Sequence, residues 1–217
     1  MAPTAGLPRV LERIEAACAR SRRAPDEVRL VAVTKGHDAA EIERRVLAHG
    51  HRILGENRVQ EWLAKRAALP ADVEWHLVGH LQRNKVKYLA GVRLIHSLDS
   101  ARLADALEAE AETRDARWRV LLEVNVAGEA AKFGIAPAEA ADLVAHVRSL
   151  PHVELEGLMT MAPYSDDPEA SRPVFRELRR LGDRLGVPGL SMGMSADFEV
   201  AVEEGATWVR VGTALFE

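Results

Sequence analysis

Eight short apolar runs, each followed by an amphipathic or turn-rich stretch, recur along almost the whole chain. They occupy residues 28–34, 52–57, 74–79, 92–98, 118–126, 153–161, 189–193 and 207–215. Runs of this length, rich in Val, Leu and Ile and bounded by turn residues, suit strands buried on both faces of a parallel sheet. Helical patterns fill the intervals. Residues 9–23 carry Val10, Leu11, Ile14 and Ala17/Cys18 at helical spacing, Asp38 can cap a helix that Gly50 ends, and Val59–Ala68 follows the second run. Further helices are predicted after a cap at Asp99 or Ser100, over Pro137–Leu150 and over Pro168–Leu185. Parallel strands need such crossovers, and eight of them without a linker predict an α/β fold, a closed (β/α)8 TIM barrel preceded by an N-terminal helix. The fold typically takes about 250 residues, so a chain of 217 is expected to form a single domain over residues 1–217. An open doubly wound sheet would carry a glycine-rich phosphate turn after its first strand. Here that turn, TKGHD, has one glycine.

Charge and cysteine content narrow the function classes. With 29 basic and 33 acidic residues the net charge is −4, which provides no global field for nucleic acid or an anionic membrane. The clusters Arg20/Arg22/Arg23 and Arg83/Lys85/Lys87 read as solvated helix faces. A lone cysteine, Cys18, leaves no internal disulfide and no cysteine-based zinc site. No run reaches the roughly 18–20 apolar residues of a membrane span, and the opening MAPTAGLPRVLER lacks a signal-peptide core, so the expected compartment is the cytoplasm.

Barrels of this kind place chemistry at the C-terminal ends of their strands. Lys35 ends the first strand, where burial in the mouth would lower its pKa and make it a nucleophile able to form a Schiff base. The alternative is a lysine that snorkels to the rim or pairs with Glu56. The loops after strands seven and eight are where barrels often bind phosphate. There the chain reads SMGMSAD, with Ser195 as a candidate N-cap for a helix over Ala196–Glu204, and then Gly212-Thr213. Arg210 shares a strand face with Gly212 and needs a partner, either an acid inside the barrel or a ligand acceptor atom. An amine for an aldehyde, a phosphate cradle and a guanidinium between them match pyridoxal 5′-phosphate. A Schiff-base aldolase acting on a sugar phosphate would use the same lysine and cradle.

The segments VAVTKGH (31–37), GENRVQE (55–61), WHLVGHLQRNK (75–85), IHSLDS (95–100), EVNVAGEAAKFG (123–134), GLMTMAP (157–163) and LSMGMSADFEVAVEEGATWVRVGTALF (190–216) carry a resemblance. The chain resembles the pyridoxal phosphate homeostasis protein family, single-domain relatives of the barrel domain of alanine racemase. The resemblance implies an internal aldimine of pyridoxal 5′-phosphate on Lys35 and an arginine, Arg210, facing the pyridine nitrogen. It implies phosphate binding by Ser191, Met192, Gly193, Met194 and Ser195 with Gly212 and Thr213, Asn57 near the cofactor's hydroxyl edge, and Met159 beside the ring. His80 matches a position of uncertain role, and His76 with His80 is not expected to bind metal.

The implied role is cofactor homeostasis: storage, shielding and delivery of the cofactor, with apo-enzymes that use it as possible recipients and no established catalytic residue. A monomer is expected. The alternative is an amino-acid racemase of weak activity. Such an enzyme needs acid/base groups on both faces of the substrate carbon. Related racemases take one of them, a tyrosine, from a second domain, and this sequence offers only Tyr88 and Tyr164.

Overall fold

The computed structural model describes residues 5–129 and 132–217. The opening residues 1–4, and Ala130 and Ala131 within the 123–134 segment, lie outside the described residues. Eight parallel strands close into a barrel in sequential order: β1 (Arg29–Val33), β2 (Ile53–Glu56), β3 (Glu74–Leu77), β4 (Val92–Leu98), β5 (Trp118–Glu123), β6 (Val153–Met159), β7 (Gly189–Ser191) and β8 (Trp208–Val211). The helices are α1 (Leu7–Ser21), α2 (Ala39–Arg45), α3 (Val59–Ala68), α4 (Ala101–Arg114), α5 (Ala140–Arg148), α6 (Arg172–Leu185), α7 (Phe198–Glu203) and α8 (Thr213–Phe216). The predicted barrel and its leading helix are therefore observed, and α1 buries the expected Val10, Ile14, Ala17 and Cys18. Asp38 caps α2 by accepting the Glu41 N–H at 2.8 Å, and Ser100 rather than Asp99 caps α4.

Two cores result from strand alternation. Outward-facing residues such as Leu30, Ala32, Leu54 and Leu122 pack under the helices, whereas Val31, Val33, Val78, Leu94, Leu121, Met159 and Trp208 fill the barrel. Closure is secured by β1 against β8, paired over four residues from Arg29–Trp208 to Ala32–Val211. The eighth strand is shorter than expected. It stops at Val211 because the chain turns at Gly212 into α8, whose Phe216 stacks on the His37 ring at 3.6 Å.

Near β7 the barrel wall depends on the absence of side chains. A Cβ on Gly157 would lie 2.3 Å from the Gly189 carbonyl oxygen, and one on Gly189 would lie 2.4 Å from that of Glu156. Strands β6 and β7 pair through this glycine contact, Gly157 opposite Gly189. Backbone cannot yield as a flexible side chain can, so Gly157→Ala must push the two strands apart. The expected loss is about 1–3 kcal/mol of unfolding free energy, read as a lower urea midpoint at unchanged slope.

Candidate functional site

Lys35 stands one turn beyond β1. The strand stops at Val33, and Thr34 is locked in place three ways. Its N–H donates to the Gly55 carbonyl at 3.0 Å, its hydroxyl donates to Glu56 Oε1, and its carbonyl accepts from Lys65 Nζ at 2.6 Å. Lys65 also pairs with fully buried Glu56. Glu56 is therefore engaged behind the strand, and the alternative pairing with Lys35 is not formed. The turn that His37 N–H closes onto the Thr34 carbonyl carries Lys35 to the rim, where it is exposed. The expected burial of this amine is not observed. Its position is held by the backbone that precedes it.

The hollow beside Lys35 has a volume of about 260 Å³ and is lined by Val33, His37, Gly212, Thr213, Phe216 and Glu217. The ends of β1 and β8 thus bring the amine and the last glycine-containing loop together. The loop after β7 lies alongside. Gly193 is held at φ 89°, and a Cβ there would sit 2.5 Å from that of Ala201 and 2.9 Å from the Phe198 Cα, so this approach to α7 requires glycine.

Ser195 does not cap α7. That helix begins after Asp197, whose carboxylate instead accepts the Met194 N–H at 2.7 Å and the Ser171 hydroxyl at 2.8 Å. The Ser195 hydroxyl faces the eighth loop and accepts from the Gly212 N–H at 3.3 Å, tying the two loops together. Among the described residues, no acceptor faces the backbone N–H groups of Ser195, Ala196 and Thr213. Such donors suit an anion.

Arg210 points into the barrel and is 4% exposed. Nη1 donates to Ser191 Oγ at 2.6 Å and Nη2 to the Thr160 carbonyl at 2.9 Å, while Nε has no acceptor among the described residues. Burial pushes its pKa down to about 10, partly offset by Glu123 and Asp197, so the guanidinium stays charged at neutral pH. Ser191, fully buried, thus spends its hydroxyl inside the barrel on Arg210 and His96 rather than on the outer loop.

The remaining expected residues are distributed around the mouth. Met159 packs in the barrel core, Met192 packs under the helices, and Met194 is exposed beside Lys132 and Met161. Asn57 lines a separate hollow of about 300 Å³ with Arg58, Gln60, His80, Gln82 and Lys85. His80 pairs with Asp99 at 3.1 Å and stacks on Phe133, far in role from buried His76, which bonds His96. Tyr164 is 86% exposed with its hydroxyl on Asp166, and Tyr88 is exposed on the turn before β4. Neither tyrosine lines the Lys35 hollow.

Sequence reading missed Glu123 and His96. Glu123 ends β5 opposite Met159 and is 3% exposed. Burial first, then Asp99, pushes its carboxyl up to about 7, against the pull of Arg210. The available signal was parity: Glu123 lies two residues from barrel-lining Leu121, as His96 does from Leu94.

The described fold and strand-end residues define an alanine-racemase-like barrel. The family model for the alanine racemase N-terminal domain matches residues 10–217. Alanine racemase of Clostridium difficile 630 shares the fold at a TM-score of 0.72 and 15% identity, over 94% of this chain and 56% of its own. A pyridoxal phosphate homeostasis protein of Aquifex aeolicus (strain VF5) is 49% identical over 97% of this chain and 95% of its own length. PipY of Synechococcus elongatus PCC7942, solved with PLP bound, superposes at a TM-score of 0.80 and 37% identity, over 96% of this chain and 100% of that one. The chain belongs to the pyridoxal phosphate homeostasis protein family.

Glu123 generates a pH-dependent expectation. Its folded pKa is raised from 4.5 to about 7, so its favourable contribution is complete below pH 4.5 and is lost as pH rises through 7. Above that, retaining the ionised form costs on the order of 3 kcal/mol, the attraction of Arg210 already counted. Glu123→Gln is expected to be more stable than the parent at pH 8 and to lose most of that advantage at pH 4.5, measured by urea unfolding at both values.

Proposed function

We propose that the chain binds pyridoxal 5′-phosphate at the barrel mouth, with Lys35 as its covalent attachment point, and serves cofactor homeostasis in the cytoplasm. The reading is supported above all by one juxtaposition: Lys35, Gly212 and Thr213 line a single hollow. It is supported further by the backbone donors of Ser195, Ala196 and Thr213, which have no acceptor among the described residues, and by the Nε–H of Arg210. These groups fit a ligand with an aldehyde, a phosphate and a ring acceptor. When bound, the cofactor supplies an electrophilic aldehyde and a ring that can accept electrons.

The chain's own residues define what that ring can do. Lys35 would hold the cofactor through its aldehyde. The loop donors and the Thr213 hydroxyl bind the phosphate. Arg210 has only donors to offer, so it would hold a ring nitrogen as a hydrogen-bond acceptor, in its unprotonated form. A ring held this way is a poor electron sink, which argues against transamination and decarboxylation. Among the described residues, neither Tyr88 nor Tyr164 lines the Lys35 hollow, where a tyrosine would complete a racemase's acid/base pair. A holder without turnover is the reading these residues support. The exposed amine leaves the link open to exchange with incoming amines, the chemistry by which cofactor would pass to recipient apo-enzymes.

Lys35→Ala is expected to abolish the near-visible absorbance of the protein incubated with cofactor and to leave its far-ultraviolet circular dichroism unchanged. Because Lys35 is exposed, stability should shift by no more than about 0.5 kcal/mol. Borohydride reduction of the parent should fix the cofactor on the peptide containing residue 35. A mutant that keeps the absorbance band, or fixation on another lysine, would overturn the assignment.

A further inference from the structure

Behind Arg210 a line of polar side chains crosses the barrel from mouth to floor. Arg210 Nη1 lies 2.6 Å from Ser191 Oγ, which lies 2.8 Å from His96 Nδ1. His96 Nε2 is 2.9 Å from His76 Nδ1, and His76 Nε2 is 2.9 Å from Glu74 Oε1. Glu74 begins β3 at the opposite end from the mouth and also accepts from Arg29, the first residue of β1, at 3.1 Å. Ser191, His96 and His76 are no more than 1% exposed. Residues from β8, β7, β4 and β3 thus form one continuous chain through the interior.

Its two ends determine the direction of every bond. Glu74 is ionised: the bond from His76, with Arg29 and Arg93 nearby, holds its carboxyl below the usual range. A carboxylate only accepts, so His76 Nε2 carries a proton and donates. Neutral His76 then accepts at Nδ1, which requires His96 to donate from Nε2 and to accept at Nδ1. Ser191 donates its hydroxyl proton to His96, and its oxygen lone pairs receive the guanidinium. With both imidazoles neutral, every donor in the line has an acceptor. An imidazolium at His76 would reverse His96 and leave the Ser191 hydroxyl proton without an acceptor in the line. Burial disfavours that charge at both histidines, despite Glu74 and Glu156 facing His76, and Arg210 opposes it at His96.

We propose that His76, His96 and Ser191 are positioning residues, a one-way hydrogen-bond line through which Glu74 on the barrel floor orients Arg210 at the mouth. In the context of the cofactor reading above, on which only this consequence rests, the line aims the guanidinium at the ring nitrogen. The line itself belongs to the cofactor-free chain and can be tested there.

Nitrogen-15 spectra of the cofactor-free protein should show both histidines as neutral Nε2–H tautomers, and slow solvent exchange of the Arg210 guanidinium protons. Glu74→Gln, which can donate as well as accept, should let both histidines sample the other tautomer. One such hydrogen bond is worth about 1 kcal/mol, so the Arg210 protons should then exchange about fivefold faster. Ser191→Ala should raise the Arg210 exchange rate while leaving the His76 tautomer as it is. Glu154→Gln, at the same end but paired with Arg119, should change none of these. An Nδ1–H tautomer or a charged ring at His96 in the parent, or unaltered Arg210 exchange in Glu74→Gln, would overturn the proposal. Loss of cofactor binding in the parent would instead count against the Lys35 reading, with the spectra still deciding the line.

Discussion

A charged guanidinium buried inside the barrel is the constraint to which the rest of this structure answers. An unpaired charge in such a place would cost several kcal/mol, and a barrel interior is ordinarily filled by layers of Val, Ile and Leu. Here the apolar filling stops at Val31, Val33, Leu94, Leu121, Met159 and Trp208. The space that remains is given to groups that satisfy Arg210. Ser191 and the Thr160 carbonyl accept its protons, and Glu123 offsets part of its desolvation. Ser191 is free to accept because His96 takes its proton, and His96 can take it because His76 and Glu74 lie behind. Four strands contribute to holding one side chain, so that side chain has little freedom left when a ligand arrives.

The mouth combines a rigid seat with an accessible amine. Thr34 is held at its N–H, its carbonyl and its hydroxyl, and its partners Glu56 and Lys65 are themselves paired. The backbone entering the Lys35 turn therefore cannot shift without breaking a buried cluster, while the side chain it delivers is exposed. This division has a chemical consequence. A buried lysine would be activated by a depressed pKa but sealed from other amines. An exposed one stays within reach of incoming amines, as the proposed exchange requires. The unpartnered backbone N–H groups after β7 and β8 lie in loops fixed by Gly193, Asp197 and the Ser195–Gly212 bond.

The strands were legible because buried parallel strands leave short β-branched runs between helical patterns, and Val59–Ala68 was readable to the residue as a helix. That Lys35 and Gly212-Thr213 meet at one hollow was legible because the first and last strands of a closed barrel are neighbours. What could not be read was the partner of each side chain. Ser195 looked like a helix cap, but Asp197 lies next to the same turn and its carboxylate takes the Met194 N–H. Lys35 looked buried because its strand is apolar, and the turn after Val33 reverses that outcome. His96 and Glu123 sit in runs that read as ordinary strand. Their importance comes from residues as distant in sequence as Ser191, 95 positions away from His96, which only closure of the barrel brings within reach.

The interior groups also set how the barrel responds to pH, and they do so in opposite senses. The folded histidines have lowered pKa values, so their neutral form supports the fold above about pH 6.5 and that support is lost as the solution becomes more acidic. Glu123, held up to about 7, supports the fold in its protonated form and loses that support as the solution becomes more alkaline. Below about pH 6.5 the two slopes have opposite signs and offset one another. A line that must keep its imidazoles neutral and a carboxyl poised near neutrality can thus coexist in one small barrel without a steep pH dependence of stability. What distinguishes them is direction: the histidines hold protons in fixed places between floor and mouth, whereas the Glu123 carboxyl, with no hydrogen-bond partner among the described residues, is free to gain or lose one where the barrel opens.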